Sequence, residues 1–114
     1  MATVYLDGNF LDDSEAKVSI HDRGFLFGDA VYEVVPVYRG NPFRLARHLD
    51  RLRESLAAVA IDCPLGDGEW ATIIARLLAE THGHEYSVYI QVTRGVGVGR
   101  DATQDQIKQA YRKL

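Results

Sequence analysis

Arg51 lies in the run His48-Leu49-Asp50-Arg51-Leu52, on a segment with helical apolar spacing. A guanidinium there can grip a phosphate with two parallel hydrogen bonds. It can equally form an ion pair with Asp50, Glu54 or Glu33, and the residues alone leave both readings open. Tyr32 has the same duality: its hydroxyl can donate to a substrate carboxylate at a pocket edge, or its ring can simply pack in a sheet. His48 is suited to cap or orient the neighbouring turn. His21, Asp22 and Arg23 are suited to hold a turn through local hydrogen bonds, with Gly24 and Gly28 supplying backbone freedom. His82 and His84 flank Gly83, which suits a solvated helix end far better than a metal pair, and no metal site is expected. Gly95, Gly97 and Gly99 alternate without the lysine and hydroxyl of a phosphate loop, so they are a weak signal.

The elements that must position these residues follow from periodicity. Thr3 to Leu6 and Phe10-Leu11, separated by Asp7-Gly8-Asn9, form a hairpin pattern. Lys17 to Ile20 is expected as a further short strand. Val31 to Tyr38 is strand-like, with Pro36 placing it at an edge or a bulge. Arg39-Gly40-Asn41-Pro42 is a turn, and Phe43 should start the return. Over Arg44 to Ile61, Leu45, Leu49, Leu52, Leu56 and Val59 make one apolar stripe of a helix. A second helix fits Gly68 to His82, closed by Gly83. Tyr86 to Thr93 is a strand, with Val88, Ile90 and Val92 on one face and Tyr89 and Gln91 on the other. A last helix, capped by Thr103 and Gln106, would carry Ile107, Ala110, Tyr111 and Leu114 on one side. The expected class is α+β: a small antiparallel sheet with two packed helices plus a short C-terminal helix.

With 114 residues, 46% hydrophobic and 25% charged, the chain has the balance of an ordinary soluble domain able to build a core. A net charge of −3 provides no basic field for nucleic acid or for an anionic membrane. Ten arginines against three lysines (Lys17, Lys108 and Lys113) hint at anionic ligands. One cysteine, Cys63, excludes an internal disulfide. There is no leader pattern and no long apolar run, so a cytoplasmic setting is expected.

The stretch His21-Asp22-Arg23-Gly24-Phe25-Leu26-Phe27-Gly28-Asp29-Ala30-Val31-Tyr32-Glu33, read with His48 to Leu52, resembles the N-terminal small domain of the fold type IV pyridoxal-phosphate enzymes. That family contains D-amino-acid and branched-chain aminotransferases and aminodeoxychorismate lyases. Val34 to Gly40 looks more like the D-amino-acid branch, and Val88 to Val96 is again similar to the family. The resemblance implies that Arg51 binds the cofactor phosphate, that His48 lies near the cofactor, and that Tyr32 helps bind the substrate carboxylate. It implies pyridoxal phosphate as the parent cofactor, absent or weakly held here, and a homo-oligomer stabilised through an exposed domain interface. Family members place the cofactor lysine in a second domain, which residues 1–114 do not reach. The expectation is therefore a chain inactive alone, either a fragment or a subunit needing a separate large-domain partner. Arg100 departs from the family's substrate-gripping loop and is given no role.

Residues 99–114 resemble instead helix II of a J-domain co-chaperone, through the capping threonine and the ending Ala110-Tyr111-Arg112-Lys113-Leu114. The expectation is a chimera divided near residue 98, with an Hsp70 partner disfavoured because the His-Pro-Asp loop is not present.

Overall fold

The first two strands, β1 (Thr3–Leu6) and β2 (Asn9–Asp12), form the expected hairpin, pairing Thr3 with Asp12 and Leu6 with Asn9. The turn residues Asp7 and Gly8 both take positive φ, 52° and 90°, as a tight two-residue hairpin demands. The computed structural model describes residues 2–63, 65–83 and 85–97, and the backbone of 112–113. A single 3-10 turn, Asp13–Glu15, follows the hairpin. Lys17 to Ile20, expected as a strand, is irregular and mostly exposed. No strand among the described residues pairs with it, and alternation alone does not hold an unpaired strand.

Next come a short helix α1 (Arg23–Phe27), the long strand β3 (Ala30–Tyr38), a two-residue strand β4 (Asn41–Pro42), helices α2 (Leu45–Ala58) and α3 (Asp67–Ala79), and strand β5 (Glu85–Thr93). Strand β6 (Arg112–Lys113) completes a second sheet in the order β4-β3-β5-β6. β3 and β5 pair antiparallel without interruption from Ala30↔Thr93 to Tyr38↔Glu85, so Pro36 causes no bulge. On its other side β3 meets only β4 among the described residues, and there the Pro36 carbonyl accepts from Phe43 N–H at 2.7 Å. The missing Pro36 donor is therefore harmless. Phe43 belongs to no strand, because the return is cut short at Pro42.

The inward residues of the two long strands, Val35, Ile90 and Val92, meet Leu49, Leu52 and Leu56 of α2 and Trp70 and Ile74 of α3. Each such side chain contributes roughly 1.5–3 kcal/mol of apolar burial before entropy. The expected stripe is thus the core stripe, except that Val59 lies beyond the helix and is partly exposed. α2 ends early because Ala60 enters the left-handed region at φ 56°, while Ile61 N–H reaches back to the Leu56 carbonyl at 2.9 Å. α3 likewise stops at Ala79, so Gly83 (φ 108°) lies past the helix instead of capping it.

The C-terminal helix is corrected where it can be judged. Arg112 and Lys113 are strand, paired with Thr93 and Val92. The open end of β5 offers ladder hydrogen bonds, and a short isolated helix has little to set against them. The remaining residues of that expectation, including Tyr111 and Leu114, lie outside the described residues, as does His84. No described helix is long and apolar enough to cross a membrane.

Candidate functional site

Along β3 the inward positions are Val31, Glu33, Val35 and Val37, and one of them is charged. Glu33 is only 4% exposed, and a carboxylate that deep must be paired. Two residues one turn apart on α2 provide the partners. Arg51 Nε donates to Glu33 Oε2 at 2.7 Å and Arg51 Nη2 to Oε1 at 2.9 Å, a bidentate fork. His48 Nδ1 lies 2.8 Å from the same Oε1 and must carry the proton to donate to an ionised carboxylate. The hydrogen bond from Arg51 holds the Glu33 carboxyl below the usual range; burial opposes it, and His48 reinforces it. Glu33 in turn raises the already high Arg51 pKa.

Arg51 meets the carboxylate on one side and opens to solvent on the other, its side chain 65% exposed. It faces an open cleft of about 470 Å³ lined by Arg44, Arg47, His48, Asp50, Arg51 and Glu54. Asp50 is also engaged by Arg53, which bridges it to Asp67 at the start of α3. An anion entering the cleft would meet a fixed guanidinium plane.

Tyr32 lies on the opposite face of β3 from Glu33, since successive strand residues alternate. It is 62% exposed and its ring stacks on Tyr89, with centroids 5.7 Å apart and planes 14° apart. The Tyr89 hydroxyl donates to Gln91 Oε1 at 2.9 Å. The structure thus brings Arg51 and His48 together through Glu33 and places Tyr32 across the sheet from them.

The charged turn is more organised than its sequence suggests. Asp22, fully buried, caps α1 by accepting from Gly24 N–H at 2.8 Å, and accepts from Thr93 Oγ1 at 3.1 Å. Gly24 is needed for close approach: a Cβ there would stand 2.5 Å from Thr93 Cγ2. Gly28 ends α1 in the left-handed region at φ 66°. Asp29 Oδ2 accepts from Arg94 Nε at 2.7 Å and Arg23 Nε at 3.1 Å. Burial pushes the Asp29 carboxyl up, but the two arginines outweigh it and hold it below its usual value. Arg94 also donates to the Val59 and Ala60 carbonyls, tying this turn to the end of α2. His21 enters the turn through its backbone, whose N–H donates to Ser19 Oγ. No cluster of three potential metal ligands occurs among the described residues.

Comparison with known proteins follows this geometry. Residues 30–111 match the amino-transferase class IV family, a span that extends into the segment assigned from sequence to a second family. The D-alanine aminotransferase of Listeria monocytogenes is 40% identical over 93 residues, covering 82% of this chain and 32% of that protein. The D-alanine aminotransferase of Staphylococcus haemolyticus is 36% identical over 96 residues, covering 84% and 34%. The branched-chain aminotransferase of the thermophilic archaeon Thermoproteus uzoniensis, solved with norvaline, superposes with a TM-score of 0.77 at 24% identity, over 88% of this chain and 36% of that one. The chain therefore spans about a third of the length of these relatives and corresponds to their N-terminal region. With its residues 30–111 matched and its fold shared, the chain belongs to the class IV aminotransferases.

Proposed function

We propose that this chain supplies the phosphate-gripping wall of a pyridoxal-phosphate-dependent aminotransferase of the D-amino-acid type. The observation that carries the reading is the Arg51 fork, locked by Glu33 and facing an open cleft. Of five guanidinium N–H donors, Glu33 takes two, leaving three for a phosphate ester. Arg44 and Arg47 add positive charge around it. His48, its Nδ1–H on Glu33, keeps Nε2 to face a bound group. The residues thus fit a phosphorylated cofactor by donor set and charge.

When bound, pyridoxal phosphate supplies the electron sink that stabilises a substrate carbanion. The chain's own residues bind and orient. Arg51 anchors the phosphate, Glu33 fixes the plane of the guanidinium, and His48 keeps that carboxylate ionised. Tyr32 donates its hydroxyl to the substrate carboxylate from the other face of β3. Names of relatives at 36% and 40% identity support the D-alanine branch. None of these residues is assigned a proton transfer, so residues 1–114 alone are expected to turn over no substrate. A separate large-domain polypeptide would restore turnover if the chain is one subunit of a two-chain enzyme. A cytoplasmic setting and self-association through Ile20, Phe25, Leu26 and Phe27, all exposed, complete the proposal.

The test is calorimetric titration with pyridoxamine 5′-phosphate and, separately, with pyridoxamine. The account requires binding that depends on the phosphate; equal affinity for both compounds would refute it. A division near residue 98, with residues 99–114 of separate origin, is a further proposal that rests on the resemblance of that segment to a J-domain helix, against a family match that runs on to residue 111. Stimulation of an Hsp70 ATPase by the chain would make that segment an interaction module, and the expected result is none.

A further inference from the structure

The Glu33 carboxylate fixes the Arg51 plane, and it also fixes a proton. His48 Nδ1 lies 2.8 Å from Glu33 Oε1. That oxygen belongs to a buried carboxyl held below its usual range, so it can only accept, and Nδ1 keeps its hydrogen. Pinning one ring nitrogen decides the role of the other. In the neutral ring Nε2 then carries a lone pair. Nε2 bonds to no described residue, yet it is no buried orphan, and His48 lines the same cleft as Arg51. Arg51 Nη2 and His48 Nδ1 share the Glu33 Oε1 atom, at 2.9 and 2.8 Å. A small anion seated on the outer edge of the guanidinium therefore lies beside the imidazole.

A phosphate monoester has a second pKa near 6, so above about pH 7.5 it is a dianion whose free oxygens only accept. A lone pair on Nε2 cannot bond to such an oxygen, whereas an N–H can. Arg51 does not give up a proton, and Glu33 has none to give. The proton must come from solvent. The neighbouring charges stay the same throughout. Arg44 and Arg47 oppose a cation on His48, Glu33 and Glu54 favour it, and Asp50 is already paired with Arg53. The cleft is lined from residues 44 to 54 alone, so no other described element adds charge to it. What changes on binding is the charge of the ligand, and a close anion favours the charged form of an imidazole.

We infer that His48 takes up one proton at Nε2 when a phosphate monoester seats on Arg51, so that the cleft binds its ligand as an arginine–imidazolium pair. The buffer acid loses the proton, Nε2 gains it, and the hydrogen bond from Nδ1 to Glu33 is unchanged. The uptake accompanies binding and is separate from turnover. It rests on the proposal that Arg51 grips a phosphate.

The test uses the 114-residue chain with isotope-labelled histidine and pyridoxamine 5′-phosphate at about pH 8. NMR of the ring nitrogens should show His48 Nε2 unprotonated in the free chain and protonated at saturating ligand. Calorimetry in two buffers of different ionisation enthalpy counts the protons. Uptake should be greater in the wild type than in His48→Gln by about one proton per ligand, and the variant should bind about tenfold more weakly. Should His48→Gln fail to fold, the wild-type ring resonances decide alone. Nε2 unprotonated at saturation, Nε2 already protonated in the free chain, or equal uptake in the two proteins would each overturn the inference while leaving phosphate binding intact. No binding by the wild type would overturn the phosphate reading and the inference with it.

Discussion

A carboxylate as buried as Glu33 holds its charge only while Arg51 and His48 donate to it. Its folded pKa is depressed, so the stability it contributes is fully present above the ordinary carboxylate value of 4.5 and is lost as pH falls through the lower folded value. Asp29 acts in the same direction. Thermal melts should therefore show a Tm that declines below about pH 4.5, and Glu33→Gln should flatten that acid limb. At pH 7 the same substitution should cost about 1–2 kcal/mol by chemical denaturation, since the Arg51 side of the pair is solvated. An unchanged acid limb would show that Glu33 is not the group concerned. Gly24→Ala drives a methyl into Thr93 and should cost about 1–3 kcal/mol; adding Thr93→Ser, which removes the clashing methyl, should recover part of it. Much of this was legible in the residues. Arg51 carried two readings, phosphate grip and ion pair with Glu33, and one guanidinium has donors enough for both. Glu33 itself was underused: a charged residue at an inward position between Val31 and Val35 was the signal of a buried pair. Asp22 and Arg94 gave no such signal, because their partners, Thr93 and the Val59 and Ala60 carbonyls, are distant in sequence.

At the scale of elements, long-range pairing decided what periodicity could not. β3, β5 and both long helices were readable because their apolar spacing matches the core they build, and the hairpin because its turn residues Asp7 and Gly8 suit a tight reversal. The errors lie at ends and short pieces. Lys17 to Ile20 lacks a partner strand among the described residues, Phe43 falls outside a strand of two residues, and Arg112–Lys113 takes the free end of β5 instead of a helix. The end of α2 offers a sharp check. Ala60 holds a left-handed conformation that glycine adopts without steric cost. Ala60→Gly should raise stability by about 0.5–1 kcal/mol, a Tm gain of a few degrees. A loss of stability would mean that the Ala60 side chain makes a contact worth more than the strain.

For the molecule as a whole, the two sides of the sheet have different roles. The inner face carries the core and, at one end, the Glu33 cluster; the outer face presents Tyr32, Val34, Tyr38 and Tyr89 to solvent. Ile20, Phe25, Leu26 and Phe27 form a further exposed apolar segment. Sedimentation velocity across a concentration series should show association that weakens in Phe25→Ser/Phe27→Ser, and a monomer at every concentration would remove the self-association proposal. The central claim, that Glu33 aims the Arg51 fork at a cofactor phosphate, is tested most directly by calorimetric titration of pyridoxamine 5′-phosphate into the wild-type chain, Arg51→Ala and Glu33→Gln. The account expects saturable binding to the wild type, weakened about tenfold to a hundredfold in Arg51→Ala and less in Glu33→Gln, where the guanidinium remains but is no longer held. Equal affinity in all three proteins would contradict it and leave the Arg51 pair as a purely structural clasp between β3 and α2.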